Sequence, residues 1–384
     1  MADPGDKKVL SLHWGYSIGG VGKYGVLVDK AAHRAGIGIE HVCIRGRNWQ
    51  VDEETLAELN ALEIVLNSRG DFSWLRKLCR HLRAAQPDLI LTHGFNGHFV
   101  ARLLQLGGCF KGDIISSYHG LYHATTRARK WLAPLFNGFT EWHIRRTLGT
   151  VAVAAYSKKY LVGKGVAEDL VTVIHNGIED RQCAAQAGRR LREEWQLDEG
   201  WLAIGIASRL DPVKGIEYLL TAFSRLAEKH ARLVLVVVGT GSVERELQAK
   251  AQELGLASRV RFTGFRSDIE ACLSAFDIFA LPSLAEYHSI ALLEAMRAGK
   301  AIVATDVGGN TESVRHEKEA LVVRPADVSG LQDALERLVA QPALRAQLGN
   351  AARTRFLAEF SEGVMLDKTA DWLGACLDRQ AKTG

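Results

Sequence analysis

The sequence predicts an α/β protein of two doubly wound domains, each built on a parallel sheet. Three observations carry that expectation. Short β-branched runs alternate with longer amphipathic stretches almost from end to end, the signature of βαβ units. The chain has 384 residues, and at roughly 150 residues per domain it is too long for one hydrophobic core. The alternation is also interrupted by a polar stretch, Glu179 to Arg192, after which the same architecture resumes without repeating the sequence.

In the first half the expected strands are Val9 to His13, His41 to Arg45, Glu63 to Asn67, Asp88 to His93, Asp113 to Tyr118, Thr150 to Ala154 and Val171 to Ile174. Amphipathic helices fit Gly22 to Ala35, Phe72 to Ala85 and Gly97 to Leu106. The second series of strands is Trp201 to Ala207, Arg232 to Val238, Val260 to Thr263, Ile278 to Leu281, Ala301 to Thr305 and Ala320 to Val323. Between them lie helical patterns at Ile216 to Lys229, Val243 to Leu254, Ile290 to Ala298 and Val328 to Val339. The expected domains are therefore 1–178 and 179–355, followed by a helical tail, 356–384, with aromatic residues that suit packing back on the first domain. Ligands of such sheets bind beyond the carboxyl ends of the strands, which makes a cleft faced by both domains the expected site.

Composition removes several function classes. Lys and Arg number 48 against 44 Asp and Glu, a formal charge of +4, too even for a nucleic-acid or polyanion binder. With 47% hydrophobic and 24% charged residues the chain is not disordered. Its six cysteines, Cys43, Cys79, Cys109, Cys183, Cys272 and Cys376, form no zinc-type spacing and read as reduced thiols. No signal-peptide pattern and no membrane-length apolar run is present, so a cytoplasmic protein is expected.

The segment richest in chemistry is PSLAEYHSIALLEAMRAGKAIVATDVGGNTESV, residues 282–314. If a helix starts near Ser289, Glu286 lies in the loop before it and Glu294 more than one turn inside. Ser289, Ile290 and Ala291 then present free backbone N–H groups where the helix dipole favours an anion. The same two glutamates also fit a solvated face. In GIASRLDPVKGIEY, residues 205–218, Arg209 follows a strand and Lys214 precedes a helix. An Arg fork and a Lys point charge together suit a departing diphosphate. Alternatively, Arg209 pairs with Asp211 and Lys214 is solvated. The glycines of VGTGS and TGFRS allow close backbone approach or simply make turns.

The order ASRLDPVKG, VVVGTGS, FTGF and SLAEYHSIALLEAMRAGKAIVATDVGGNTE resembles retaining glycosyltransferases of family 4, the nucleotide-sugar-dependent group with the GT-B fold of two Rossmann-like domains facing a central cleft. The resemblance spans the chain and is densest from Ala203 to Val323. It implies that Arg209 and Lys214 bind the donor diphosphate and stabilise the leaving group. It implies that Glu294 binds the ribose, that Glu286 contacts the donor sugar, and that the amides of Ser289, Ile290 and Ala291 meet the phosphate. Phe265 and Arg266 fall at the base pocket, and Gly19 and Gly20 in a loop that closes over the donor phosphate or the acceptor side. His119, in SYHGLYH, matches a histidine beside the anomeric carbon, although a turn histidine bonded to backbone has the same sequence. Tyr287 and His288 depart from the common small residues after Glu286 and would flank the sugar pocket.

The resemblance implies transfer from a nucleotide diphosphate sugar to an acceptor hydroxyl in polysaccharide or glycolipid assembly, UDP-sugar favoured and GDP-sugar next, with no required cofactor. No D-x-D metal motif is present; Asp268-Ile-Glu270 lies on a helical pattern. Two alternatives stay open: a nucleotide-sugar epimerase of the same architecture, and an NADP-dependent oxidoreductase using Gly20, Gly22 and Gly25 as G-x-G-x-x-G. The segment 127–146, with four Arg, one Lys and interleaved aromatics, reads either as a helix meeting the inner face of a membrane and a lipid-linked acceptor, or as a helix covering the sheet.

Overall fold

A computed structural model describes residues 7–15, 20–47, 49, 53–67, 72–120, 132–181 and 185–383. The chain divides into two compact units, 1–175 with 363–384, and 176–362.

The first unit runs β1 (Lys8–Trp14), α1 (Gly20–Arg34), β2 (Gly38–Gly46), α2 (Glu53–Glu58), β3 (Leu62–Leu66), α3 (Ser73–Ala85), β4 (Leu89–His93) and α4 (Gly94–Leu106). It continues with β5 (Asp113–Tyr118), α5 (Ala133–Ile144), β6 (Gly149–Ala152), α6 (Ala155–Gly163) and β7 (Val171–Val173). The seven strands lie in the order β3-β2-β1-β4-β5-β6-β7, every pair parallel. Winding reverses between β1 and β4, so loops there diverge and open a crevice. Successive strand residues point to opposite faces, which is why the strands read as continuous apolar runs. Leu10, Leu12, Ile90 and Ile114 pack on α3 and α4, whereas Val9, Leu89, Leu91, Ile115 and Val151 pack on Tyr24, Val28 and Ala32 of α1.

The second unit runs α7 (Ala185–Glu194), β8 (Leu202–Ala207), α8 (Ile216–Lys229), β9 (Leu233–Val238), α9 (Glu244–Glu253), β10 (Val260–Gly264), α10 (Ile269–Ala275) and β11 (Ile278–Leu281). Then come α11 (Ile290–Arg297), β12 (Ala301–Thr305), α12 (Asn310–Ser313), β13 (Leu321–Val323), α13 (Val328–Ala340) and α14 (Pro342–Arg355). Its parallel sheet is ordered β10-β9-β8-β11-β12-β13, with the reversal between β8 and β11. The stretch read as a polar interruption contains most of α7. Leu191 of that helix and the following Trp195 enter the core, too few apolar residues to announce a helix.

Phe356 and Phe360 of a π-helical turn are buried in this unit's core. From Gly363 the chain belongs to the first unit. There α15 (Glu362–Thr383) packs Trp372, Leu373, Cys376 and Leu377 against Val9, Leu89 and Val151. No helix among the described residues is long and apolar enough to cross a membrane. Residues 127–131 lie outside the described residues. From 132 onward the aromatic side of α5 packs on α4, with Phe136 4.6 Å from Phe95. Arg146 lies over Trp142 at 4.5 Å.

One expectation fails. Cys79 and Cys109 are joined in a disulfide, because α3 and the turn after α4 bring their Cα atoms to 5.2 Å across a sequence separation of 30 that carries no motif. Cys43, Cys272 and Cys376 are free and buried; Cys183 lies outside the described residues.

Buried imidazoles in the first unit set a pH dependence. Burial, aided by His119 and Arg102, pushes His98 down from 6.5 to about 3, and burial pushes His119 down to about 4. The folded protein thus keeps both rings neutral where an unfolded chain takes up protons. Below pH 6.5 the unfolded state binds more protons, so stability falls as pH drops through this window. The denaturant midpoint of the first unit's unfolding should decline from pH 7 to pH 5; a flat profile would count against these buried neutral rings.

Candidate active site

In the second unit the loops beyond the strand ends are zipped together. The Leu210 amide donates to the Thr240 carbonyl at 2.9 Å, Gly239 to Gly264 at 2.8 Å, and Leu284 to Val213 at 2.7 Å. After β8, a 3₁₀ turn, Pro212–Lys214, ends at Gly215, whose φ of +62° is left-handed. A Cβ there would sit 2.2 Å from the Pro282 carbonyl oxygen, so only glycine lets the β8 and β11 loops touch.

That contact brings Lys214 to Glu286. Lys214 Nζ lies 2.6 Å from Glu286 Oε1, with side chains only 16% and 10% exposed. Ser283 Oγ donates to the same oxygen at 2.7 Å, while the Ser283 carbonyl accepts from Thr305 Oγ1 at 2.6 Å. Glu286 Oε2 engages no described residue. Gly308 backs the loop: its φ is +52° and a Cβ would fall 1.7 Å from the Glu286 carbonyl oxygen.

Helix α11 begins where expected. Ser289 caps it, its side chain accepting from the Leu292 amide at 3.4 Å. The first-turn amides of Ile290 and Ala291 then have no intrahelical acceptor, and Glu294 lies on the second turn. Asn176 Nδ2 donates to the His288 carbonyl at 3.1 Å and steadies this loop. The His288 ring, expected beside the sugar pocket, turns inward instead to Ser313 Oγ at 3.2 Å and packs near Phe360.

Other expected residues are placed differently. Arg209 is 75% exposed and paired with Asp211 at 2.8 Å, the competing reading of the sequence. Asp211 is itself held by Ser242 Oγ at 3.0 Å. Arg266 is tied to Asp268 at 2.8 Å and Glu194 at 2.7 Å, partnerships that raise its pKa, while Phe265 is 71% exposed. The structure thus joins Lys214, Glu286 and the start of α11, and holds Arg209 and Arg266 by local carboxylates.

In the first unit, Gly19 lies outside the described residues and α1 begins at Gly20, so Gly22 and Gly25 are helical. All three glycines of the G-x-G-x-x-G pattern, Gly20, Gly22 and Gly25, thus lie on the helix. His119 follows β5 with Nε2 3.0 Å from Ser117 Oγ and its ring edge-on to Tyr24 at 4.5 Å. Sequence reasoning missed Ser283 and Ser117. Short hydroxyl residues facing a strand end were the available signal, and nothing in one sequence separates them from ordinary strand serines. Among the described residues no group of three or more His, Cys, Asp or Glu side chains could hold a metal ion.

The nearly buried ion pair is coupled. In a double-mutant cycle of Lys214→Met and Glu286→Gln, unfolding by urea should show an interaction of about 1–3 kcal/mol. Additive effects would show that the pair contributes nothing beyond its separate groups.

Comparison with known proteins accounts for both halves. Residues 18–182 match the model for Glycosyltransferase Family 4, and residues 187–355 that for Glycosyl transferases group 1. A 2-deoxystreptamine glucosyltransferase of Streptomyces kanamyceticus is 30% identical over 279 residues, 69% of this chain and 72% of that protein. The lipopolysaccharide core biosynthesis glycosyltransferase LpsD of Rhizobium meliloti is 26% identical over 369 residues, 95% and 97% of the two chains. Among solved structures, Anabaena HepE in complex with UDP-glucose superposes with a TM-score of 0.78 at 20% identity, covering 96% of this chain and 99% of that one. The chain belongs to glycosyltransferase family 4 and is a glycosyltransferase of the GT-B fold.

Proposed function

We propose that the second unit binds a nucleotide diphosphate sugar, with UDP-sugar first and GDP-sugar next, and that the sugar passes with retention to an acceptor hydroxyl held by the first unit. The observation that carries this reading is the Lys214–Glu286 pair at the start of α11: a cation, a carboxylate with one open oxygen, and free helix amides within one set of loops. The diphosphate meets Lys214 and the amides of Ile290 and Ala291, with Arg209 at the rim. Glu286 Oε2 accepts from a donor sugar hydroxyl, and Glu294 receives the ribose. Solved HepE complexes hold UDP or UDP-glucose, which supports the uridine preference.

In the reaction the bond from the anomeric carbon to the β-phosphate oxygen breaks and a bond to the acceptor oxygen forms on the same face. The acceptor's proton passes to the departing phosphate oxygen. Negative charge grows on the diphosphate as the sugar gains oxocarbenium character, so Lys214 and the helix start act more strongly on the transition state than on the bound donor. The acceptor in this reading is a lipid-linked or growing saccharide, met by a cytoplasmic enzyme touching the inner face of the membrane. Its support is an exposed apolar row, Phe99, Leu103 and Leu106 on α4 and Leu135 on α5, in the same unit as exposed Arg145 and Arg146.

Thermal unfolding with UDP, GDP and their sugars tests the donor. A nucleotide at a hundred times its Kd stabilises the fold by about 2.7 kcal/mol, so UDP should raise Tm measurably. A rise with GDP alone would reassign the base, and no rise with any nucleotide would defeat the reading. Lys214→Ala and Glu294→Ala should each lower transfer by about two orders of magnitude. Near-normal turnover in both variants would also sink the proposal.

A further inference from the structure

At the carboxyl edge of the first unit's sheet stand three tryptophans that the donor-site reading leaves without a role. Trp14 is the last residue of β1, Trp49 follows β2, and Trp74 lies in the first turn of α3, after β3. These three strands are parallel neighbours, so their ends meet at one edge, where open α/β sheets bind ligands. The rings converge there. Trp14 lies 6.1 Å from Trp49 and 5.8 Å, edge to face, from Trp74.

Trp14 and Trp74 are half-buried and pack on the core that includes Leu12 and Leu78. Trp49 is 44% exposed, yet its place is fixed by backbone. The Gly15 amide donates to the Ile44 carbonyl at 2.8 Å, which ties the end of β1 to β2, and the Trp49 amide donates to the Gly46 carbonyl at 3.1 Å. A Cβ on Gly46 would lie 2.6 Å from Trp49 Nε1, and one on Gly15 would lie 3.3 Å from Trp49 Cε3. The five-membered ring therefore rests against one glycine and the six-membered ring against the other. Two strand ends without side chains seat an indole that stays in contact with water. A clustered, exposed aromatic surface of this kind points to a ligand.

The ligand's chemistry follows from the indole. Its face is electron-rich, and the N–H at its edge donates a hydrogen bond. A pyranose ring offers the complement: on one face C–H bonds polarised by the neighbouring oxygens, and hydroxyls around the rim. Arg47, whose Nη2 donates to Asn67 Oδ1 at 3.0 Å, brings exposed polar groups to the ends of β2 and β3, where hydroxyls can pair with them. A lipid surface fits less well. Helix α2 opens just beyond Trp49 with exposed Glu53 and Glu54, and carboxylates repel an anionic bilayer.

We propose that Trp14, Trp49 and Trp74 form a saccharide-binding platform, with Trp49 stacking on a pyranose ring of the acceptor. That the bound sugar belongs to the acceptor rests on the proposed function above, in which the first unit holds the acceptor. That the platform binds a saccharide does not.

The test is saturation-transfer difference NMR on the full chain, with the methyl α- and β-glycosides of glucose, galactose, mannose and N-acetylglucosamine as probes. At least one glycoside should receive saturation, most strongly at its ring C–H protons. Trp49→Ala should weaken its Kd about tenfold or more, whereas Trp49→Phe, which keeps an aromatic face, should hold it within about threefold. Gly46 does not have a left-handed φ, so alanine fits its backbone, and Gly46→Ala should weaken binding by displacing the indole. With the bound glycoside as acceptor, Trp49→Ala should raise the acceptor KM about tenfold and leave the donor KM within about twofold. Saturation of no glycoside overturns the proposal, as does equal affinity in wild type, Trp49→Ala and Gly46→Ala. A signal lost in Lys214→Ala but kept in Trp49→Ala belongs to the second unit and overturns it too. So does lost sedimentation of Trp49→Ala with phosphatidylglycerol–phosphatidylethanolamine vesicles while glycoside binding is unchanged, which makes the surface a membrane contact. An unaltered acceptor KM beside lost glycoside binding overturns the acceptor assignment alone. Absence of transfer from every nucleotide sugar defeats the proposed function instead, and the NMR result still decides the platform.

Discussion

The ion pair between Lys214 and Glu286 joins groups 72 residues apart, and much of the second unit's local geometry exists to make it possible. Strand order places β8 beside β11 at the reversal of winding, so the loops carrying the two side chains leave neighbouring strands at the same end. Gly215 lets those loops touch, Ser283 holds the carboxylate, and Thr305 on β12 holds Ser283. A lysine this nearly buried would be costly alone. Paired, its charge is compensated at a point where little of either side chain is exposed.

The first unit answers the same topology with different chemistry. Its reversal falls between β1 and β4, and there it places neutral imidazoles and hydroxyls where the second unit places opposite charges. Burial explains the difference. An ion pair compensates two charges at one point, whereas a row of neutral rings avoids charge and satisfies each polar atom through its neighbour.

The strands were legible because each lies between helices and is apolar on both faces; Val9 to His13 and Arg232 to Val238 differ from the observed β1 and β9 only at their ends. Ser289 was legible as a helix start because capping is local. Features that depend on distant partners were not. Lys214 and Glu286 read as separate ligand contacts, since a sequence shows spacing along the chain and not adjacency across a sheet. His288 read as a pocket residue, yet Ser313 and Phe360 draw it inward. Cys79 and Cys109 became neighbours only through the packing of α3 and α4.

Packing at the end of the chain bears on how the units form. The second unit is one continuous segment, 176–362, and every strand of its sheet is available as soon as that segment is complete. The first unit is not continuous. Its sheet face of Val9, Leu89, Ile115 and Val151 is covered only in part, by α1, until Trp372, Leu373 and Leu377 arrive on α15. Ion pairs then join opposite ends of the chain, Lys7 to Asp378 at 2.8 Å and Arg34 to Asp367 at 2.7 Å. These pairs are exposed and contribute little, so the apolar contacts decide the docking. Closing so long a loop costs only slowly growing entropy, but it defers the first unit's core until the second segment has been made.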